Sequence, residues 1–225
     1  MTMVDFCSDV SRALREPLTA TAPQNDAYFL LEYREAWQPK AAKPGNNTLR
    51  EAVTAHIQAS IKASGLSVKP MFIRQQGRTN GPLMAYVARP TAEGGTVYAL
   101  ELETYDALTD VPLSDMLRGE PGTGVLLETP LFTVCAHKER DRACGKYGWG
   151  IYQALRDAAG ETAQVWQSTH IGGHRFAGTL IAFPYGTFYG HLDTDDVSAV
   201  LAATQAGQVY TPKLRGRSVY GMPTQ

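Results

Sequence analysis

Cys135-Ala136-His137-Lys138-Glu139-Arg140-Asp141-Arg142-Ala143-Cys144-Gly145, followed after residue 169 by His170-Ile171-Gly172-Gly173-His174, is the stretch on which this chain turns. In skeleton form it is C-x8-C and then H-x3-H. Soft thiolates and borderline imidazoles suit zinc or iron–sulfur chemistry, not magnesium or calcium. Gly172-Gly173 lets the backbone turn tightly between the histidines, and Gly145 permits a close approach behind Cys144. H-x3-H also occurs by chance on helices, where both rings share a face. His-Ile-Gly-Gly-His is a poor helix, however, since each Gly costs about 1 kcal/mol relative to Ala. Zinc knuckles usually hold their cysteines two to four residues apart, and this step is longer. A long loop can instead wrap one side of a larger object, such as a two-iron cluster. Spacing alone leaves a metal site and unrelated Cys and His residues both open.

Outward from this stretch the pattern is mixed α/β. Residues 131–135 form a short strand ending at the first cysteine, and Tyr147, Ile151 and Leu155 mark a helix that stops at Gly160. Residues 163–169 make a strand, and 178–192 hold one or two more. Thr194-Asp195-Asp196 caps a last helix through Val197, Val200 and Leu201, with acid at its positive end. The first half repeats this coarse order. A strand at 27–33 precedes a capping box, Thr48 with Glu51. Leu49, Val53, Ile57 and Ile61 then recur every four residues up to Gly65. Strands follow at 68–74, 83–88 and 96–102. Residues 105–130, polar and rich in Gly and Pro, are the expected connector. The expected organisation is therefore 1–125 as an N-terminal α/β half and 126–225 as the half that carries the motif. Residue identity between the halves is not evident, so duplication is the weaker reading.

Composition removes several classes. The 225 residues carry 21 basic against 22 acidic side chains, a net charge of −1, which disfavours nucleic acid and anionic membranes as partners. A hydrophobic share of 44% supports a packed core and argues against disorder. The charged start, residues 1–18, has no apolar signal segment, and nowhere do 18 apolar residues run together. Three cysteines cannot staple a secreted fold. The expectation is a soluble cytoplasmic protein with reduced thiols. No Cys-x-x-Cys is present, which disfavours thiol–disulfide exchange.

Cys135-x-His137, Arg140-Asp141, Cys144-Gly145, His170-x-Gly172-Gly173-His174-x-Phe176-Ala177-Gly178, Pro184-x-Gly186 and Tyr189-Gly190 together resemble the sucrase/ferredoxin-like family. The match is densest over residues 133–192. Fainter echoes are Phe6-Cys7-Ser8, Pro17-Leu18, Glu32, Trp37 and Arg215-Gly216-Arg217. Lys138 stands where the family pattern has Gly, and His191 where it has Arg. The resemblance implies a thioredoxin-like ferredoxin, with two such halves packed together as the fuller form of the expectation. It further implies a 2Fe–2S cluster held by Cys135, Cys144, His170 and His174, the cysteines on one iron and the histidines on the other. Imidazoles in place of two thiolates remove negative charge, so the potential should lie above an all-cysteine ferredoxin. Rieske centres set that direction, at about −150 to +300 mV against about −400 mV.

Around the ligands, His137 is expected on a cluster sulfur, on the loop backbone or in solvent. Arg140, Asp141 and Arg142 are expected as an ion-pair knot, Gly173 as a turn residue, and Arg175 as a dock for an acidic redox partner. Cys7 is expected to be a structural or incidental thiol and not a fifth ligand. The function expected is one-electron transfer or redox sensing without substrate turnover. The alternative is a structural Cys2His2 zinc module. The sugar cleavage in the family's name needs two flanking carboxylates, and no motif designates them.

Overall fold

All six residues of β1 (Ala27–Glu32) are buried, so this strand runs through the interior and not along an edge. The structure, a computed structural model, describes residues 6–221; the first five residues of the charged start lie outside them. β1 is followed by α2 (Glu51–Ser64), then β2 (Val68–Arg74), β3 (Leu83–Pro90) and β4 (Gly95–Leu102). A short α1 (Cys7–Ala13) precedes them, which periodicity did not indicate. β1 and β2 are parallel across α2, β3 lies antiparallel on the other side of β1, and β4 completes a hairpin with β3. The second half repeats the plan. β6 (Leu131–Cys135) and β7 (Gln164–Ser168) are parallel across α4 (Arg142–Ala159). β8 (Leu180–Phe183) lies antiparallel to β6, and β9 (Thr187–Tyr189) to β8. A parallel pair bridged by a helix, with a hairpin beside the first strand, is the thioredoxin-like arrangement. α5 (Val197–Gln205) and β10 (Leu214–Arg217), the latter on β9, end the chain.

The halves join edge to edge. β2 meets β7 antiparallel through Ile73 with Ser168 and Arg74 with Gln167, giving one ten-stranded sheet. Three strands separate β1 from β8 in that order, yet the Tyr28 and Phe183 rings sit 5.0 Å apart, edge to face. Neighbouring strands lie about 4.8 Å apart, so a flat sheet would hold these rings far from each other. The sheet is therefore folded on itself. One inner core joins Tyr28, Leu30, Ile73 and Tyr86 of the first half to Trp166, Ile181 and Phe183 of the second. Two outer cores lie under the helices, the first around Phe29, Phe72 and Val53, the second around Phe132, Val165 and Leu155.

Several local expectations are revised. Thr48 does not cap α2: the Tyr33 hydroxyl accepts its N–H and lies 2.9 Å from its Oγ1, and the helix starts after Arg50 without a side-chain cap. Gly65 does close α2 in the left-handed region, φ 69°. Residues 105–130 are not a plain connector. They hold a 3-10 turn (Asp106–Asp110), α3 (Leu113–Arg118) and β5 (Val125–Leu126), and bury Leu108, Leu113, Met116 and Leu117. β5 pairs with β4, so the strand that spans 125–126 belongs to the first half. Asp193 with Asp196, not Thr194, forms the capping box before α5.

Candidate metal centre

β6 and β7 are parallel, and the motif residues gather outside their carboxyl ends, the usual crevice of such sheets. Cys135 is the last residue of β6. Cys144 lies in the first turn of α4, which starts at Arg142, ahead of its expected position, because the Asp141 side chain accepts the Ala143 N–H at 2.9 Å. Both thiols are buried and unbridged. His170 enters from the loop after β7, its Nδ1 3.9 Å from the Cys135 sulfur and 3.8 Å from that of Cys144. The donor atoms of these three residues all lie within 4.8 Å of one another. His174 opens the next 3-10 turn (His174–Phe176), its ring centre 6.1 Å from that of His170. It belongs instead to a second group, with Cys7 and Asp141, whose donor atoms are also within 4.8 Å of one another. Three expected ligands converge; the fourth stands one ring away, in the company of the third thiol.

The two buried thiols share their protons unequally. Cys135 gives up its proton well below the ordinary thiol range, because Cys144 and then His170 hydrogen-bond the thiolate and the imidazole favours its charge. Cys144 is pushed up by its hydrogen bond to Cys135, by burial and by the neighbouring negative charge. A single thiolate with a firmly protonated thiol beside it and an imidazole at hand is a nucleus for a thiophilic metal. The donor set therefore fits an iron–sulfur group.

The supporting contacts match the expectation in part: of the roles offered for His137, a backbone one is seen. His137 is not a solvated loop residue. It is buried, its Nε2–H donates to the Gln38 carbonyl at 2.9 Å, and its Nδ1 accepts the His170 N–H at 3.3 Å. Burial holds its pKa below the ordinary histidine value, so a neutral ring fixes the His170 backbone. Trp37 packs edge-on against that ring at 5.5 Å. Asp141 is a helix cap and not the centre of an ion-pair knot; Arg142 stacks over Phe6 instead, at 5.6 Å. Among the described residues, Arg140 is exposed and forms no ion pair. Arg175 is committed within the chain, to Glu16 at 2.7 Å.

Arg215 is the residue that sequence reasoning weighed least. It is 1% exposed, donates to Gly172 O at 3.1 Å and Thr21 O at 2.6 Å, and lies over the Phe176 ring at 5.0 Å. Burial lowers its pKa to about 10, and the Cys135 thiolate acts in the opposite sense. A fixed positive charge thus stands behind the histidine loop. Gly173, at φ 74°, needs glycine both for its backbone and because any Cβ would press on the Arg215 guanidinium. Gly148 allows α4 to pass against the Cys135 carbonyl. The faint Arg215-Gly216-Arg217 echo was the available signal for this cation.

Comparison with known proteins finds a match to the sucrase/ferredoxin-like family over residues 18–216. A curated relative, altered inheritance of mitochondria protein 32 of Meyerozyma guilliermondii, is 28% identical over 95 residues, 38% of this chain and 34% of that one. The aligned part thus spans about a third of that relative's length. Among solved structures, a thioredoxin-like [2Fe-2S] ferredoxin from Aquifex aeolicus superposes on 39% of this chain and 91% of its own, at 13% identity and a TM-score of 0.36. The wild-type protein at 1.5 Å resolution superposes on 40% and 100%, at 13% identity and a TM-score of 0.37. No helix among the described residues is long and apolar enough to cross a membrane.

Proposed function

The chain belongs to the sucrase/ferredoxin-like family, and from that premise we propose that Cys135, Cys144, His170 and His174 hold a 2Fe–2S cluster for one-electron transfer or redox sensing. The observation that carries this reading is the spread of the donors. Three gather tightly and the fourth stands off, with ring centres 6.1 Å apart. A single closed zinc site would need all four donors at about 2.0–2.3 Å from one ion. When bound, the cluster supplies a one-electron acceptor whose potential rises as thiolates are exchanged for imidazoles. The chain supplies the rest. His137 holds the His170 backbone, Arg215 sets a positive charge behind the loop, and the buried thiols are screened from water. Exposed His174 can pass a proton to solvent, which couples the electron to pH.

A reducing compartment such as the cytoplasm suits two buried free thiols. For a redox partner we propose a protein acidic at its docking face. Lys138, Arg142 and Lys146 ring a hollow of about 600 Å³ beside Ala136 and Gly145. Arg175, the expected dock, is tied to Glu16. One observation favours a second reading. Cys135, Cys144 and His170 alone are close enough to share a Zn2+ ion.

Anaerobic preparation followed by assay of iron, zinc and acid-labile sulfide separates the readings. Iron with equal sulfide, and a rhombic EPR signal after reduction, are expected; zinc without iron overturns the proposal. Replacing both His170 and His174 by Cys should lower the potential and remove its pH dependence. An unchanged potential sinks the ligand assignment.

A further inference from the structure

Cys7 was expected to be incidental, yet its sulfur lies within 4.8 Å of the donor atoms of His174 and Asp141. That position is built, because α1 is pinned over the histidine loop from three sides. The Arg12 guanidinium donates to the carbonyls of Ala177 at 2.9 Å, His191 at 3.0 Å and Leu192 at 3.0 Å, and pairs with Asp193 at 3.2 Å. Glu16, just past the helix, accepts from Ser11 at 2.7 Å and from Arg175 at 2.7 Å. Asp9 accepts from the Tyr147 hydroxyl of α4. These anchors bring the first residue of α1 against the one expected ligand that stands apart from the other three.

We propose that Cys7 is a reserve ligand of the centre, a thiolate that takes the coordination position of His174 when the imidazole leaves it. The inference rests on the cluster reading given above. Of the two neighbours of His174, the thiol is the suited donor. Asp141 is a hard oxygen donor and already serves as the cap of α4. The exchange balances without electron transfer. One nitrogen–metal bond gives way to one sulfur–metal bond, and the thiol proton passes to the freed imidazole. A thiolate adds negative charge to the ligand set, so the exchanged form has the lower potential. Exposed Cys7 and exposed His174 would thus give the protein two redox settings, selected at its surface.

Four proteins test this: wild type, Cys7→Ser, His174→Ala and the double variant, each prepared anaerobically and assayed for iron, sulfide, visible absorption and EPR. Cys7→Ser should match wild type. His174→Ala should keep most of its iron and sulfide with altered absorption, and the double variant should hold at least fivefold less. Iodoacetamide followed by mass spectrometry gives a second readout, in which Cys7 is alkylated in wild type and protected at least fivefold in loaded His174→Ala. If His174→Ala does not fold, His174→Asn takes its place in both assays. Equal loss in the single and double variants, or equal alkylation in wild type and the His174 variant, overturns the reserve role. Wild type without iron and sulfide overturns the cluster reading itself, a separate failure.

Discussion

β1 and β6 hold the same place in their halves, each flanked by a parallel and an antiparallel partner, but they end in opposite chemistry. β1 ends in Glu32, whose side chain is 1% exposed and accepts from Arg34 at 2.8 Å, Arg78 at 3.1 Å and the Met84 N–H at 2.9 Å. β6 ends in Cys135, beside a second thiol and an imidazole. One strand end is a closed ion-pair clasp, and the other gathers soft donor atoms. The loops differ in the same sense. Residues 136–141 lead from Cys135 straight into α4, whereas residues 33–50 wander before α2. That longer loop is not idle, because it delivers the Gln38 carbonyl and the Trp37 ring to His137. The same scaffold thus carries once a structural clasp and once a candidate site, and a loop of the first half supports the second.

Substitutions at the two ends should break this comparison in different ways. The largest effect is expected for Cys135→Ser, which should abolish bound iron and sulfide while far-UV circular dichroism stays native; retained metal would remove Cys135 from the ligand set. Next comes Glu32→Ala. It removes a buried acceptor from two guanidinium groups that keep backbone carbonyl partners, and should cost about 1–3 kcal/mol in urea unfolding. Iron per folded molecule should stay unchanged, and a proportional loss would mean that the clasp acts on the site directly.

The smallest effect is a pH dependence at the C-terminal half. Burial, followed by the Arg12 and Lys213 charges, holds His191 below its ordinary 6.5, against the opposing pull of its bond to the Arg175 carbonyl and of Glu16. Its folded pKa is the lower one, so the unfolded chain takes up the proton first. The contribution is full above about 6.5 and declines as the pH falls through that value. His191→Asn, which tolerates the φ of 51° at this position, should flatten stability between pH 7 and 5 in thermal melts. An unaltered slope would assign the acid response elsewhere.

Periodicity and composition carried the regular elements, because β1 and β6 are buried whole runs and α2 repeats every fourth residue. They failed where long-range partners decide. Thr48 with Glu51 is a sound capping box, but the Tyr33 hydroxyl competes for Thr48 from outside the local window. Gly and Pro marked 105–130 as a connector, and Leu113, Met116 and Leu117, at helical spacing, were the signal overlooked there. The Cys/His motif was legible as residues and spacing. The approach of Cys7 was not, since α1 is placed by Arg12 reaching carbonyls on the far side of the sequence. Arg215 was hidden for the same reason. Its neighbours, Thr21 and Gly172, lie 194 and 43 residues away along the chain.

The folded sheet has one more consequence, for life in air. Cys135 and Cys144 belong to the inner core that both half-sheets share, packed with Tyr28, Leu30 and Met71 of the first half. Dioxygen or an alkylating agent coming from the sulfur side meets this shared core before Cys135 or Cys144, while the side of His174 and Cys7 lies open to the solvent. Burial of those two thiols is then a property of both halves together. An excised C-terminal half would carry every expected ligand and still lack the wall that shields them.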